Sequence, residues 1–132
     1  MPDKHAFLSA SSSHRWINCP PSAALCAKKP NNSSPYAQQG TDVHSLCEHK
    51  VLTALGQASR DPTESLIWFD EEMEDCTDQY CTYVMEQLQE TKKLCPDPQV
   101  LVEQRLDFSR WVPDAFGTGD CLIVADQVLH II

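Results

Sequence analysis

Between Pro96 and Pro98 the apolar residues of this chain change their period, and that change limits the fold more than any other feature. In VLVEQRLDF, Val100, Val102, Leu106 and Phe108 occupy alternate positions, with Glu103, Arg105 and Asp107 between them, which predicts a half-buried strand. Ser109 to Phe116 connects it to Gly117-Thr118-Gly119-Asp120, from which the apolar run CLIVA leads off as a second strand, and VLHII forms a third. A two-residue turn at Asp126-Gln127 makes Ala125 face Val128 and sets Asp120 opposite the position after Ile132. Upstream the spacing is helical. Helices over 1–95 followed by an antiparallel β-meander over 99–132 define the α+β class.

The helical half divides at its prolines and glycines. Ser9 or Ser11 can cap a short helix through HRWIN, which Cys19-Pro20-Pro21 stops. A second helix over Ser22 to Lys28 runs into the turn-forming stretch KKPNNSSP. A longer one begins near Thr41 and ends at Gly56, a residue suited to the left-handed position after a helix. His44, Cys47, Val51 and Leu55 share one stripe of it, so the histidine is expected to point to the core side. After a polar connection from Gln57 to Trp68, Asp70-Glu71-Glu72 opens a helix that closes on Lys92-Lys93, acids first and bases last as the helix dipole favours. Met73, Thr77, Tyr80, Val84 and Leu88 mark its buried face.

With 132 residues, 42% of them hydrophobic, one modest core is expected. No apolar run approaches the about 18 residues that cross a bilayer. The N-terminus lacks the apolar region of a secretory signal, so the expected location is the cytoplasm, without a membrane partner. Seven cysteines, odd in number and never spaced C-x-x-C, indicate neither a disulfide framework nor a zinc ribbon. Nineteen acidic against ten basic side chains give a net charge of -9. Phosphate binding favours basic surfaces, so this balance argues against a protein that merely coats DNA, while leaving room for an enzyme whose acids hold a cation.

Asp120 carries the first chemical suggestion. Gly117 and Gly119 clear space beside it, and a carboxylate in such an opening suits Mg²⁺ or Mn²⁺. One carboxylate is a poor site, and the adjoining strand is where a second is expected. Gly40-Thr41-x-x-His44 on a helix, Glu103 on a strand and Gly117-x-x-Asp120 leading into an apolar hairpin together resemble the RecB-like branch of the PD-(D/E)XK nucleases. The opening SASSSHRWINCP is similar to a phage and prophage exonuclease group in that branch, whose domain is of unknown function. The resemblance spans nearly the whole chain. It implies a restriction-endonuclease-like core, here its N-terminal portion only, in a bacterial or phage-infected cell. Asp120 would be the metal-binding aspartate, His44 a helix-borne histidine approaching the metal, and Glu103 an assisting carboxylate. The acidic-x-Lys and Gln-x-x-x-Tyr motifs of that branch would follow Ile132. The resemblance thus implies a metal-dependent DNA nuclease, an exonuclease of phage recombination or replication, of which this piece alone is inactive.

Plainer readings stand beside these. His44 can be a core histidine, Asp120 a strand-entry aspartate, and Trp16, Trp68 and Trp111 packing anchors. His44-x-x-Cys47-x-His49 offers zinc ligands, but positions five apart on a helix diverge. Cys19 stands where some relatives place a cluster cysteine, and a structural thiol is the commoner outcome. The competing function is a non-catalytic acidic interaction module, with self-association through an exposed third strand as a corollary.

Overall fold

The computed structural model describes residues 6–30 and 32–132. Four α-helices precede a three-stranded antiparallel sheet of order β1-β2-β3, the expected α+β arrangement. They are α1 (Ser13–Asn18), α2 (Pro21–Ala27), α3 (Pro35–Ala54), α4 (Glu71–Leu94), β1 (Gln99–Asp107), β2 (Phe116–Val124) and β3 (Leu129–Ile131). No helix among the described residues is long and apolar enough to cross a membrane. The chain forms two compact units, one of Met1–Asn32 with Arg105–Gly119 and one of Ser33–Gln104 with Asp120–Ile132.

In the first unit, a single 3-10 turn at Ala10–Ser12 precedes α1, and the Trp16 indole N–H donates to the Ser9 carbonyl at 2.9 Å. Neither Ser9 nor Ser12 caps through its side chain; their hydroxyls pair with each other at 2.7 Å instead. The Pro20-Pro21 pair starts α2 because proline at a first turn loses no helical hydrogen bond.

In the second unit, α3 starts earlier than Thr41. Ser34 accepts a hydrogen bond from the Ala37 N–H at 3.1 Å and Pro35 fills the first helical position, two start signals that outweigh Gly40 in the interior. Asn31, in the turn-rich stretch before it, lies outside the described residues. The helix closes where expected, with Gly56 at φ 74. Asp70 caps α4 by accepting from the Met73 N–H at 2.7 Å. Met73, Thr77, Val84 and Leu88 are buried along it as the spacing predicts.

Val51, Val84 and Cys121 have no exposed surface and form the core of this unit, with Leu55, Tyr80, Val100, Val102 and Ile132 around them. Burying an aliphatic side chain of this size contributes about 1.5–3 kcal/mol. Lys50 adds a polar brace between α3 and α4: its ammonium lies 2.9 Å from Glu74 Oε1 and 2.6 Å from Asp78 Oδ1. These two bonds offset its burial and raise its pKa.

The β2–β3 pairs Leu122–Ile131, Ile123–His130 and Val124–Leu129 reproduce the register drawn from the Asp126-Gln127 turn, and the Ala125 N–H donates to the Val128 carbonyl at 2.9 Å. The strand itself starts earlier than CLIVA, at Phe116, so Asp120 sits within β2, one residue beyond its last bonded pair with the β3 segment, Cys121 and Ile132. A Cβ on Gly117 would make ordinary contact with Phe108 at 3.5 Å and Ala10 at 3.9 Å. All seven cysteines are free thiols; Cys95 and Cys121 are buried, Cys19 and Cys76 exposed.

Candidate metal centre

His44 rides on the middle of α3, whose angle to α4 is held by the Lys50 brace. Its Nδ1 lies 3.5 Å from Asp120 Oδ1 on β2 and 3.9 Å from Glu103 Oε1 on β1. The three donor atoms fall within 4.8 Å of one another, and among the described residues they are the group of this kind that converges. Ligands about 2.1 Å from a common ion lie about 3–4.2 Å apart, so small side-chain rotations bring the three onto one cation. An imidazole with two carboxylates is a donor set of the kind that divalent first-row ions accept.

The group lines a cleft of about 180 Å³ together with Val43, Cys47, Glu48, Tyr80 and Val102. A larger hollow of about 690 Å³ lies along one flank of α4, past Asp78, Cys81 and Met85, but α4 alone lines it and no histidine reaches it. The convergent donors mark the smaller cleft as the chemical one.

Two of the three side chains stand differently from expectation. The His44 side chain is 56% exposed. It shares its stripe with the fully buried Val51, yet it reaches the cleft where β1 and β2 present Glu103 and Asp120. Glu103 is not on the solvent face with Arg105 and Asp107. Its backbone has φ 49, the left-handed region, in the middle of β1. That twist breaks the two-residue alternation, so Val102 and Glu103, neighbours in sequence, both line the cleft. Such a conformation costs a non-glycine residue about 1–2 kcal/mol, and strained residues gather at functional sites.

Burial, then the charges of Asp120 and Glu48, push the Glu103 carboxyl above its ordinary pKa, with His44 pulling the other way. The native state therefore holds this proton more tightly than the unfolded chain. Its stabilising contribution is complete below the ordinary value of 4.5 and is lost as the pH rises through the raised one. Glu103→Gln should accordingly raise the melting temperature in chelator at neutral pH by a few degrees and flatten its fall as the pH rises above 4.5. Thermal melts across that range check both effects; a melting temperature that falls would contradict the electrostatic account.

Burial also pushes the Cys47 thiol up to about 11 against the pull of Lys50, and raises the Tyr80 hydroxyl. Both remain protonated at neutral pH. The zinc set His44, Cys47 and His49 does not assemble: the His49 Nδ1 pairs with Ser59 Oγ at 2.9 Å, and Cys47 stays outside the converging group.

A family model described as "Protein of unknown function (DUF2800)" matches residues 5–132. The chain belongs to the DUF2800 family. No solved structure matches it. For this DUF2800 chain the chemical argument therefore starts from its own geometry. Of the residues singled out from sequence, His44, Glu103 and Asp120 come together, while Cys19 lies exposed in the other unit.

The sequence reading missed Asp42, two residues before His44. It is 4% exposed, and its Oδ2 accepts from the backbone N–H groups of Ile67 and Trp68 at 2.9 Å each, while Oδ1 accepts from Gln38 at 3.2 Å. An acid two residues from a histidine on a helix gives no periodic signal; the spacing of Gln38 and Asp42, four apart, is the one hint.

Proposed function

We propose that this DUF2800 chain is the N-terminal, metal-holding portion of a RecB-like PD-(D/E)XK nuclease, an exonuclease of phage recombination or replication acting on DNA in the cytoplasm. The single observation that carries the reading is the convergence of His44, Glu103 and Asp120 from one helix and two strands. The motif order Gly-Thr-x-x-His, Glu, Gly-x-x-Asp supports it.

His44 Nδ1, Glu103 Oε1 and Asp120 Oδ1 would hold Mg²⁺ or Mn²⁺. A cation held there neutralises charge on a scissile phosphate and lowers the pKa of attacking water. The chain's own groups supply the rest. The two carboxylates concentrate negative charge in one place, which draws a divalent ion against the cost of their mutual repulsion. His44, more than half exposed, leaves one side of the group open to a ligand. Tyr80 and Cys47, both protonated, present neutral surface on the inner wall, while Glu48 adds a third carboxyl group to the lining. The acidic-x-Lys triplet that would activate the nucleophile belongs, on this reading, to sequence outside these 132 residues.

The expected behaviour of the chain itself is metal binding without cleavage. Titrating it with Mn²⁺ and following the free-ion electron paramagnetic resonance signal should give one site per chain, with Mg²⁺ competing weakly. A longer protein that adds the acidic-x-Lys triplet should hydrolyse DNA with Mn²⁺, and its Asp120→Asn form should not. No Mn²⁺ uptake by the chain would refute the site; cleavage by the Asp120→Asn form would refute its catalytic role.

A further inference from the structure

The charge of this acidic protein is unevenly divided. In the unit that holds the metal group, four basic face sixteen acidic side chains, a net charge of -12. The described residues of the other unit carry five basic groups (Arg15, Lys28, Lys29, Arg105 and Arg110) against Asp107 and Asp114, a net charge of +3.

That basic unit also displays an aromatic side chain on a tightly bonded loop. Between β1 and β2 the Phe108 N–H donates to the Ala115 carbonyl at 2.9 Å, and the Trp111 and Val112 N–H groups both donate to the Phe108 carbonyl at 2.9 and 3.0 Å. The Ser109 N–H donates to Asp107 Oδ1 at 2.8 Å, Asp114 takes a left-handed backbone at φ 55, and Ala115 is buried. A loop so fully bonded holds its tip in place. At that tip Trp111 is 71% exposed, so the packing role expected for it does not hold. The Arg110 guanidinium lies 5.7 Å from the centre of its ring and leaves most of the indole open.

A large exposed ring fixed by its backbone, with a guanidinium beside it, on a unit of net positive charge, matches what unpaired nucleic acid demands: a face for a base and a charge for the adjoining phosphate. A membrane surface would ask for an apolar helix face with several bases, and a protein groove for a concave apolar site; the loop offers neither. We infer that Trp111 and Arg110 form a base-stacking platform for single-stranded DNA on the basic unit, separate from the metal group. The choice of DNA rests on the nuclease reading. The platform also explains how a chain of net charge -9 can engage a polyanion at all, since the positive part is segregated from the acidic one.

The test uses the 132-residue chain in EDTA at low salt, with labelled oligodeoxythymidylate of twelve residues and a blunt duplex of equal length. Fluorescence anisotropy should give a dissociation constant of about 10–100 µM for the single strand, in the range of non-specific binding. Trp111→Ala should weaken it about tenfold and Trp111→Phe about twofold, since stacking needs a ring and not an indole in particular. Arg110→Glu should weaken binding and reduce the slope of log affinity against log salt. Wild-type affinity in Trp111→Ala, no binding by the wild type, an equal loss on the blunt duplex, or uptake by anionic vesicles in place of DNA each overturns the platform. Asp120→Ala separates the two proposals. If it loses Mn²⁺ and keeps the single strand, both stand. If the wild type binds the strand through Trp111 but takes up no Mn²⁺, the metal reading alone fails; Mn²⁺ uptake without Trp111-dependent binding removes the platform alone.

Discussion

Asp120→Ala should abolish the thermal stabilisation that Mn²⁺ gives the wild-type chain. A ligand that binds only the folded state stabilises it by about 2.7 kcal/mol at a hundred times its dissociation constant. For a chain of this length that corresponds to a rise in melting temperature of about 8–12 °C. Asp120 is the common neighbour of the group, 3.5 Å from His44 and the strongest charge acting on Glu103. Without it, one imidazole and one carboxylate remain, too few to retain a hydrated divalent ion at ordinary concentrations. In chelator the same substitution should leave the melting temperature equal or slightly higher, because it removes the charge that crowds Glu103. Differential scanning calorimetry with and without Mn²⁺ reads both halves. A metal-dependent rise that survives Asp120→Ala would place the cation elsewhere.

Asp42→Ala should be the most damaging single substitution outside the apolar core, costing about 2–4 kcal/mol. Its carboxylate is buried and accepts from two backbone N–H groups, at Ile67 and Trp68, which tie the connection to α3. Charge-assisted bonds of this kind contribute about 1.5–3 kcal/mol each, less where water can take over the exposed donors. Asp42→Asn retains one acceptor oxygen and should lose about half as much. Denaturant unfolding gives the magnitudes, and amide exchange at Ile67 and Trp68 should accelerate in both variants. If exchange at those two positions is unaffected, the carboxylate is not the anchor of the connection between α3 and α4.

How much was legible beforehand follows from how local each signal is. The cap at Asp70, the glycine at 56 and the buried face of α4 depend on neighbours within one or two helical turns, and the spacing alone revealed them. The β2–β3 register depends on a turn of two residues and was equally open to reading. The start of α3 lies six residues before the expected Thr41, where Ser34 and Pro35 supply the start signals. The candidate site was legible by residue and not by geometry. Glu103 was placed on the solvent face because alternation assumes ordinary β backbone, and nothing in VLVEQRLDF announces a left-handed residue at its centre. Asp42 and the exposure of Trp111 are illegible for a related reason: one is buried against a connection distant in sequence, the other is set by a loop held through its own local hydrogen bonds.

The graded burial of the cysteines turns the fold into its own chemical clock. An alkylating reagent consumes thiolates it can reach, so the exposed Cys19 and Cys76 react before the buried Cys95 and Cys121. Cys121 has no exposed surface and a thiol held neutral by burial, and it can be modified only when its unit opens. Mass spectrometry that counts modified sites over time therefore reads out, from one unmutated sample, how often the strand carrying Asp120 comes away from the helices it rests on.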